Sequence, residues 1–190
     1  MNKILIALLS LIIASCSCQA LTLDDTRVEF RTAAFFPSSK LYRNIYGNTN
    51  LDIQLQASTR FLCQFETFGN LAWLSKHGQS IGFKDPTRID ILNCSLGINY
   101  LYDWNCKTTL YAGAGFCGAR VWVKNKLHFD GHHKESKSIV GGVAKAGVYY
   151  SFTDYLFVDL FVDYVYLPSH FKTHAQLGGV KTGAGIGLMF

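Results

Sequence analysis

Along most of this chain, apolar and polar side chains take turns. The pattern is clearest in residues 155–166. There Leu156, Val158, Leu160, Val162, Tyr164 and Tyr166 face one way, and Phe157, Asp159, Phe161, Asp163 and Val165 the other. A repeat of two residues marks a strand with two unlike faces. A helix would put Asp159 and Asp163 on one face at i,i+4, but the Val, Phe and Tyr content argues for a strand. Residues 51–62 alternate too, with Leu51, Ile53, Leu55, Ala57, Thr59 and Phe61 opposite Asp52, Gln54, Gln56, Ser58 and Arg60. In residues 26–36, Val28, Phe30, Thr32, Ala34 and Phe36 oppose Arg27, Glu29, Arg31, Ala33 and Phe35. In residues 180–190, Val180, Thr182, Ala184, Ile186, Leu188 and Phe190 oppose Lys181, Gly183, Gly185, Gly187 and Met189.

Four further runs are strands by the same rule. Residues 65–75 are the least regular, with Glu66 and Asn70 opposite Leu71 and Trp73. Residues 88–102 set Leu92, Cys94, Leu96, Ile98, Tyr100 and Tyr102 against Asn93, Ser95, Gly97 and Asn99. Residues 107–123 set Tyr111, Cys117, Val121 and Val123 against Ala112, Phe116 and Arg120, and the charge of Arg120 assigns its face to the polar side. Residues 138–152 set Ala144, Ala146, Val148, Tyr150 and Phe152 against Lys145 and Tyr149.

That makes eight runs, most of about 10–12 residues, the length a tilted strand needs to cross hydrocarbon. Their connections alternate: long at 37–50, 76–87, 124–137 and 167–179, short at 63–64, 103–106 and 151–154. The expected fold is all-β: an eight-stranded antiparallel transmembrane up-and-down β-barrel, apolar faces toward lipid and polar faces inward. A soluble lipocalin-like barrel is the competing arrangement, with the same faces reversed. Long apolar strands and a last strand ending on an aromatic favour the membrane. That last strand is expected to pair with the first and remove both sheet edges.

Composition narrows this reading. The chain has 190 residues, room for one domain, with 14% aromatics and 3 prolines. Beyond the N-terminus no run of about 20 apolar residues exists, so no helical span is expected. The net charge of +5 is modest. Residues 1–20 read as an export signal: Lys3, an apolar stretch 4–13, then small residues Cys18 and Ala20 flanking a cleavage point. The barrel domain is then 21–190. A competing reading cuts before Cys16, in Ile13-Ala14-Ser15-Cys16, and lipidates it. Four cysteines remain: Cys63, Cys94, Cys106 and Cys117. An exported chain permits three pairings, all open, and disulfide-linked oligomers besides. Without paired CxxC spacing, no metal is expected.

The signal, the eight segments, the loop asymmetry and the F-R-T-A-A-F-F-P-S-S opening resemble the small outer-membrane barrels: the OmpX/Ail adhesins, the OmpA transmembrane domain and the OmpW group. The resemblance implies a bacterial outer-membrane location beside lipid and lipopolysaccharide. It also makes Leu188 and Phe190, on the last strand, a signal for the barrel-assembly machinery.

The inward face is expected to carry Arg27, Glu29, Arg31, Asp52, Arg60, Glu66, Arg120, Lys145, Asp159, Asp163 and Lys181. Near-balanced signs suggest a lumen plugged by salt bridges, with a small polar pore as the alternative. Lys181 has Asp159, Asp163 or Glu29 as expected partners. Asp159 and Asp163 are about 13 Å apart along a strand, too far for one catalytic pair. All six histidines are expected in long loops. One loop gathers Lys124, Lys126, His128, His132, His133, Lys134 and Lys137, a candidate anion-binding loop for lipopolysaccharide phosphates or a host or surface polyanion, strengthening as His protonates near about pH 6.

G-x-G-x-x-G at Gly113, Gly115 and Gly118 lies in a strand with no helix after it, so it is read as packing space and not as a nucleotide loop. Two aromatic girdles are expected. One has Tyr100, Tyr102, Trp104, Tyr111, Tyr149, Tyr150, Phe152, Tyr155 and Phe190 near the short turns; the other has Phe36, Trp122, Tyr164 and Tyr166 near the loops. Cys94 and Cys117 are expected on the lipid face, and Cys63 and Cys106 at neighbouring turns. The functional expectation is a non-enzymatic, cofactor-free monomer with no nucleic-acid partner, acting in adhesion, membrane integrity or ligand contact. A transport barrel for small apolar or ionic solutes is the alternative. A lipid-modifying enzyme is third, resting only on the adjacent Ser169 and His170.

Overall fold

Strand β1 (Thr26–Pro37) decides the architecture, because it pairs on both sides. Its neighbours are β2 (Asn50–Leu62) and the last strand, β10 (Gly179–Met189). At the seam, Phe190 N donates to Thr26 O at 2.9 Å and Thr26 N to Phe190 O at 3.2 Å. Between them run β3 (Phe65–Gln79), β4 (Pro86–Asn105), β5 (Thr108–Leu127), β6 (Gly131–Ser151) and β7 (Leu156–Tyr166), each antiparallel to the next. The computed structural model describes residues 26–62, 64–79, 85–127, 131–170 and 174–190. The expected export signal, the alternative at Cys16, and Cys63 and His128 lie outside the described residues.

The sheet is a closed barrel of eight strands in the order β1-β10-β7-β6-β5-β4-β3-β2. Its stagger can be followed along the ladder, from Tyr166 through Gly142, Phe116, Leu96, Gly69, Ala57, Val28 and Leu188 to Leu156. One circuit descends ten residues along β7, from 166 to 156. With standard strand spacing, that shear tilts the strands by about 40° and gives a backbone radius of about 8 Å. Such a lumen holds side chains and little else.

The short turns lie on the same side as both ends of the barrel. Asn105 caps one of them, its Oδ1 accepting from the backbone of Lys107 at 2.9 Å and Thr108 at 2.8 Å. In barrels of this kind short turns are periplasmic and long connections external. On the outer side the strands run past expectation. β4, β5 and β6 are 20, 20 and 21 residues long, about twice what hydrocarbon requires. The expected loop 124–137 is therefore largely a ladder, with Lys124 opposite Lys134 and Lys126 opposite His132. The expected polar loop 37–50 contains helix α1 (Lys40–Tyr46), and the connection 167–179 contains a small hairpin, β8 (Pro168–His170) and β9 (His174–Gln176).

Sidedness departs from expectation in β5. Arg120 pairs with Leu92 and points outward with it; Tyr111, Cys117, Ala119 and Val121 are buried inside. Paired residues share a face of the sheet, so register overrules the charge of a single side chain. Cys117 thus faces the lumen, its Sγ bonded to Gly142 O at 3.4 Å, whereas Cys94 faces outward. Tyr111 and Tyr149 leave the expected girdle as well: both are buried and stack at 4.5 Å between ring centroids. Of the histidines, His77 lies on β3, His132 and His133 on β6, and His170 and His174 on the small hairpin, not in irregular loops.

Small inward residues make this interior possible. A Cβ on Gly147 would sit 2.5 Å from both the Tyr111 hydroxyl and the Leu160 carbonyl oxygen. Gly147→Val should therefore destabilise the barrel by about 1–3 kcal/mol through overpacking. Gly69→Ala, whose nearest neighbour would be Leu96 at 3.9 Å, should stay within about 0.5 kcal/mol of wild type. Urea midpoints of the two variants in the same detergent check both expectations.

Candidate functional site

The lumen is filled in three levels. Nearest the periplasm, Arg27 meets Glu66 at 2.5 Å. Glu66 also accepts from Asn99 at 2.9 Å and Tyr149 at 3.3 Å. The Arg27 guanidinium lies 5.0 Å from the Tyr149 ring centre. All of these side chains are buried, so each charge is matched by a partner rather than by bulk water.

Arg31, fully buried, organises the middle level. One terminal nitrogen lies 2.9 Å from Asp159 and 3.0 Å from the Tyr111 hydroxyl. The other is 2.9 Å from Gln56 Oε1 and 3.4 Å from Asp163. Its Nε is 3.9 Å from Glu29, and the guanidinium sits 3.4 Å above the Phe161 ring centre. Lys145 joins through Asp163, 3.8 Å away, and Gln56 Oε1, and lies 4.4 Å from the Phe68 ring centre. Gln56 donates to Glu29 at 2.6 Å, and Asn70 donates to Gln54 at 2.9 Å. Sequence reasoning passed over these amides, which knit the charges together. Their signal was present in the inward parity of β2 and β3.

Lys181 reaches none of its expected partners. It crosses over β1 to Asp52 at 2.8 Å. Its direct neighbours are Phe35 and Asp163, and Asp163 is already engaged by Arg31 and Lys145. Arg60 lies at the periplasmic rim, partly exposed and 3.4 Å from the exposed Asp103. With Arg120 outside the barrel and Arg60 on the rim, four cations of the expected set face five carboxylates in the interior.

Above the Lys181–Asp52 pair the lumen becomes apolar. Phe35, Leu74, Ile89, Ile91, Val121 and Val165 belong to one buried cluster. Helix α1 closes over it with Tyr42 and Tyr46, 5.0 Å apart. Ser39 caps the helix, its hydroxyl accepting from Tyr42 N, and Gly47 ends it at φ +89°, a conformation glycine adopts freely. Leu41, Tyr42, Ile45 and Tyr46 follow helical spacing behind a serine cap, but over seven residues only. Tyr46 shares a 3.2 Å hydrogen bond with Thr87. Burial pushes the Tyr42 phenol up from its ordinary value. It does the same to Tyr46, against the lowering effect of the Thr87 bond. Both hydroxyls stay protonated at neutral pH, as a cap needs. Beside the helix an open cavity of about 180 Å³ is lined by Leu41, Ile45, Ile89, Val121, Val123 and Glu135 among others. Within the lumen, the space between Phe35, Asp52, Leu74 and Lys181 amounts to only about 20 Å³.

Residues 38–190 match the model of the Opacity family of porin proteins. The chain belongs to the Opacity porin family. It is a protein of the bacterial outer membrane, as the resemblance to small outer-membrane barrels implied. Among solved structures it is similar to Neisserial surface protein A, with TM-score 0.66 and 15% identity, covering 87% of this chain and 97% of that one. It is similar to OprG of Pseudomonas aeruginosa, with TM-score 0.67, 10% identity and coverage of 88% and 96%. It is also similar to Ail of Yersinia pestis, solved with the heparin analogue sucrose octasulfate, with TM-score 0.56, 16% identity and coverage of 86% and 97%. At these identities the likeness is one of fold. No curated protein matches the sequence.

The network predicts its own weak point. Arg31→Ala leaves Glu29, Asp159 and Asp163 facing one another without their shared cation. Breaking a buried pair in this way costs about 3–5 kcal/mol. Arg31→Met combined with Asp159→Leu, which removes charge from both sides, should cost clearly less. The urea midpoints of the single and double variants test this order.

Proposed function

We propose that this family member is a closed, non-enzymatic barrel that works at its outer surface, contacting polyanions through the long hairpin of β5 and β6. The observation that carries this reading is the filled lumen. A solute entering from outside meets α1 and a buried apolar cluster; one entering from the periplasm meets paired charges held by amides and tyrosines. Among the described residues neither level offers a continuous polar path. The outer hairpin is basic: Lys126 pairs in register with His132, Asn125 with His133, and Lys124 with Lys134; Lys137 stands further down, and His128 completes the proposed set. Cationic strands held clear of the bilayer suit sulfated or phosphorylated chains. The Ail complex with a heparin analogue supports the idea that this fold can present such a surface.

A second reading, a transport barrel for small apolar solutes, has one observation in its favour. The 180 Å³ cavity beside α1 is apolar and open. It ends on the buried cluster above Lys181, so passage requires α1 to move. We further propose that residues 1–20 are the export signal of the barrel domain 21–190, and that Leu188 and Phe190 form the signal read by the barrel-assembly machinery. Both side chains are outward, and Phe190 closes the seam with Thr26.

Two measurements check this. In planar bilayers the purified protein should show no discrete openings, and it should bind immobilised heparin with an affinity that falls steeply with salt. Replacing Lys126, His132, His133 and Lys134 by alanine should weaken heparin binding about tenfold or more, roughly 1.4 kcal/mol. Clear conductance steps in wild type, or unchanged heparin binding in the variant, would overturn the reading. Deleting Phe190 should lower the amount of heat-modifiable barrel in the outer membrane severalfold; unchanged surface levels would remove the assembly role.

A further inference from the structure

Just above the aromatic belt, β3, β4 and β5 turn a polar group outward, toward the bilayer and away from the lumen. Asp90 takes the outward position that apolar residues occupy lower on β4, and three neighbours hold it. The Ser75 hydroxyl donates to it at 2.7 Å, Arg88 Nε donates at 3.0 Å, and Lys124 Nζ lies 3.9 Å away. On the next turn of the wall the Arg120 guanidinium stands 5.5 Å from the ring centre of Trp122, which packs against Trp73 at 6.1 Å. No carboxylate pairs with Arg120 among the described residues. The side chains of Arg88 and Lys124 remain 43% and 51% exposed. Two cations thus flank one carboxylate, and Arg120 stands on the same outward face beside them.

The ladder fixes the height of this group. Spreading the ten-residue stagger over eight strands puts Tyr166 level with Phe36, Trp73 and Leu92, to within about one residue. Asp90 and Arg120 stand about two residues above that belt, and Arg88 and Lys124 about four to six. This is headgroup depth, where a lipid-facing Arg costs little. Directly below, the outward seam of β5 and β6 is paved with small residues, Ala112 opposite Ala146 and Ala114 opposite Ala144. Phe116 and Val140 stand above them, 81% and 74% exposed.

We propose that this patch is a binding site for the phosphorylated headgroup of an outer-leaflet lipid. Arg88, Arg120 and Lys124 donate to the phosphate, and Arg supplies the forked geometry such oxygens match. The Trp73–Trp122 pair packs at the interface, where indole rings settle. The acyl chains run down the small-residue seam. Charge, depth and continuity with a lipid-facing track all point to a lipid, whereas a soluble polyanion would meet the hairpin tip. Asp90 holds Arg88 and Lys124 in place and leaves the site net positive. The site depends on the outer-membrane location and not on polyanion binding by the hairpin.

Native mass spectrometry of the full protein, released from detergent with diphosphoryl lipid A or its dephosphorylated form, tests this. Wild type should retain the phosphorylated lipid at least tenfold better. Arg120→Gln with Lys124→Gln should lose that discrimination, and Arg120→Lys should keep most of it. The hairpin variant lacking Lys126, His132, His133 and Lys134 should discriminate like wild type. Folding is checked by the heat-dependent gel shift; if the double variant fails that check, Arg120→Gln alone should show at least a threefold loss. Persistent discrimination in the folded glutamine variants, its loss in the hairpin variant, or displacement of the lipid by heparin would each overturn the proposal.

Discussion

Everything in this molecule depends on the seam between β1 and β10. In hydrocarbon an unpaired backbone amide has no water to turn to, so an open sheet edge is excluded. Pairing from Arg27 with Met189 through Pro37 with Gly179 removes both edges at once. The closure also sets the stagger, and the stagger sets the radius. A radius of about 8 Å leaves room mainly for side chains. What the interior contains is thus settled by which side chains the seam turns inward, and it turns in Arg27 opposite Met189, and Glu29 and Arg31 opposite Gly187 and Gly185.

Buried charge in so narrow a space must be matched within it. The matching is done mainly across strands, with the longer Arg31–Glu29 contact along β1 as an exception. Arg27 on β1 joins Glu66 on β3, Arg31 joins Asp159 and Asp163 on β7, and Lys181 on β10 joins Asp52 on β2. These cross-links give the lower lumen successive polar clusters, each tying distant strands together. The top is different in kind, an apolar cluster with a helix as lid. Among the described residues, that change from polar to apolar leaves the upper lumen with few partners for an ion or a water.

How much of this was legible follows from the same division. Alternation exposed β2 and β7 because their two faces differ along the whole strand, as in Asp159 and Asp163 against Leu160 and Val162. It failed on β5, whose inward face runs from Tyr111 to Val121 and is apolar, while its outward face ends in Arg120 and Lys124. A rule that sends charge inward inverts such a strand. Only register with Leu92 corrects it. The long ladder of β5 and β6 was hidden because lysine and histidine carry weak strand preference, so pairing beyond the bilayer shows no alternation. Helix α1 was hidden by its length: seven residues carry too little periodicity to stand out from polar flanks. The family, the location and the eight strands were legible; which long side chain reaches which partner was not, because that depends on stagger.

The glycines tie these levels together. The Arg31–Asp159 pair bridges β1 and β7 across β10, and the residue in register with both is Gly185. A Cβ there would lie 2.8 Å from Arg31 Cγ. Tyr111 sends its hydroxyl to Arg31 and Asp159 over Gly147, its own partner in the ladder. Asn99, bonded to Glu66, lies against Gly113 in the same way, where a Cβ would stand 2.2 Å from its Oδ1. Each long polar side chain is thus laid over a neighbour without a side chain. The small face of the last strand and the glycines of β5 and β6 are the spaces that let buried charges meet across strands, and the sequence carries them where the stagger places Arg31, Tyr111 and Asn99.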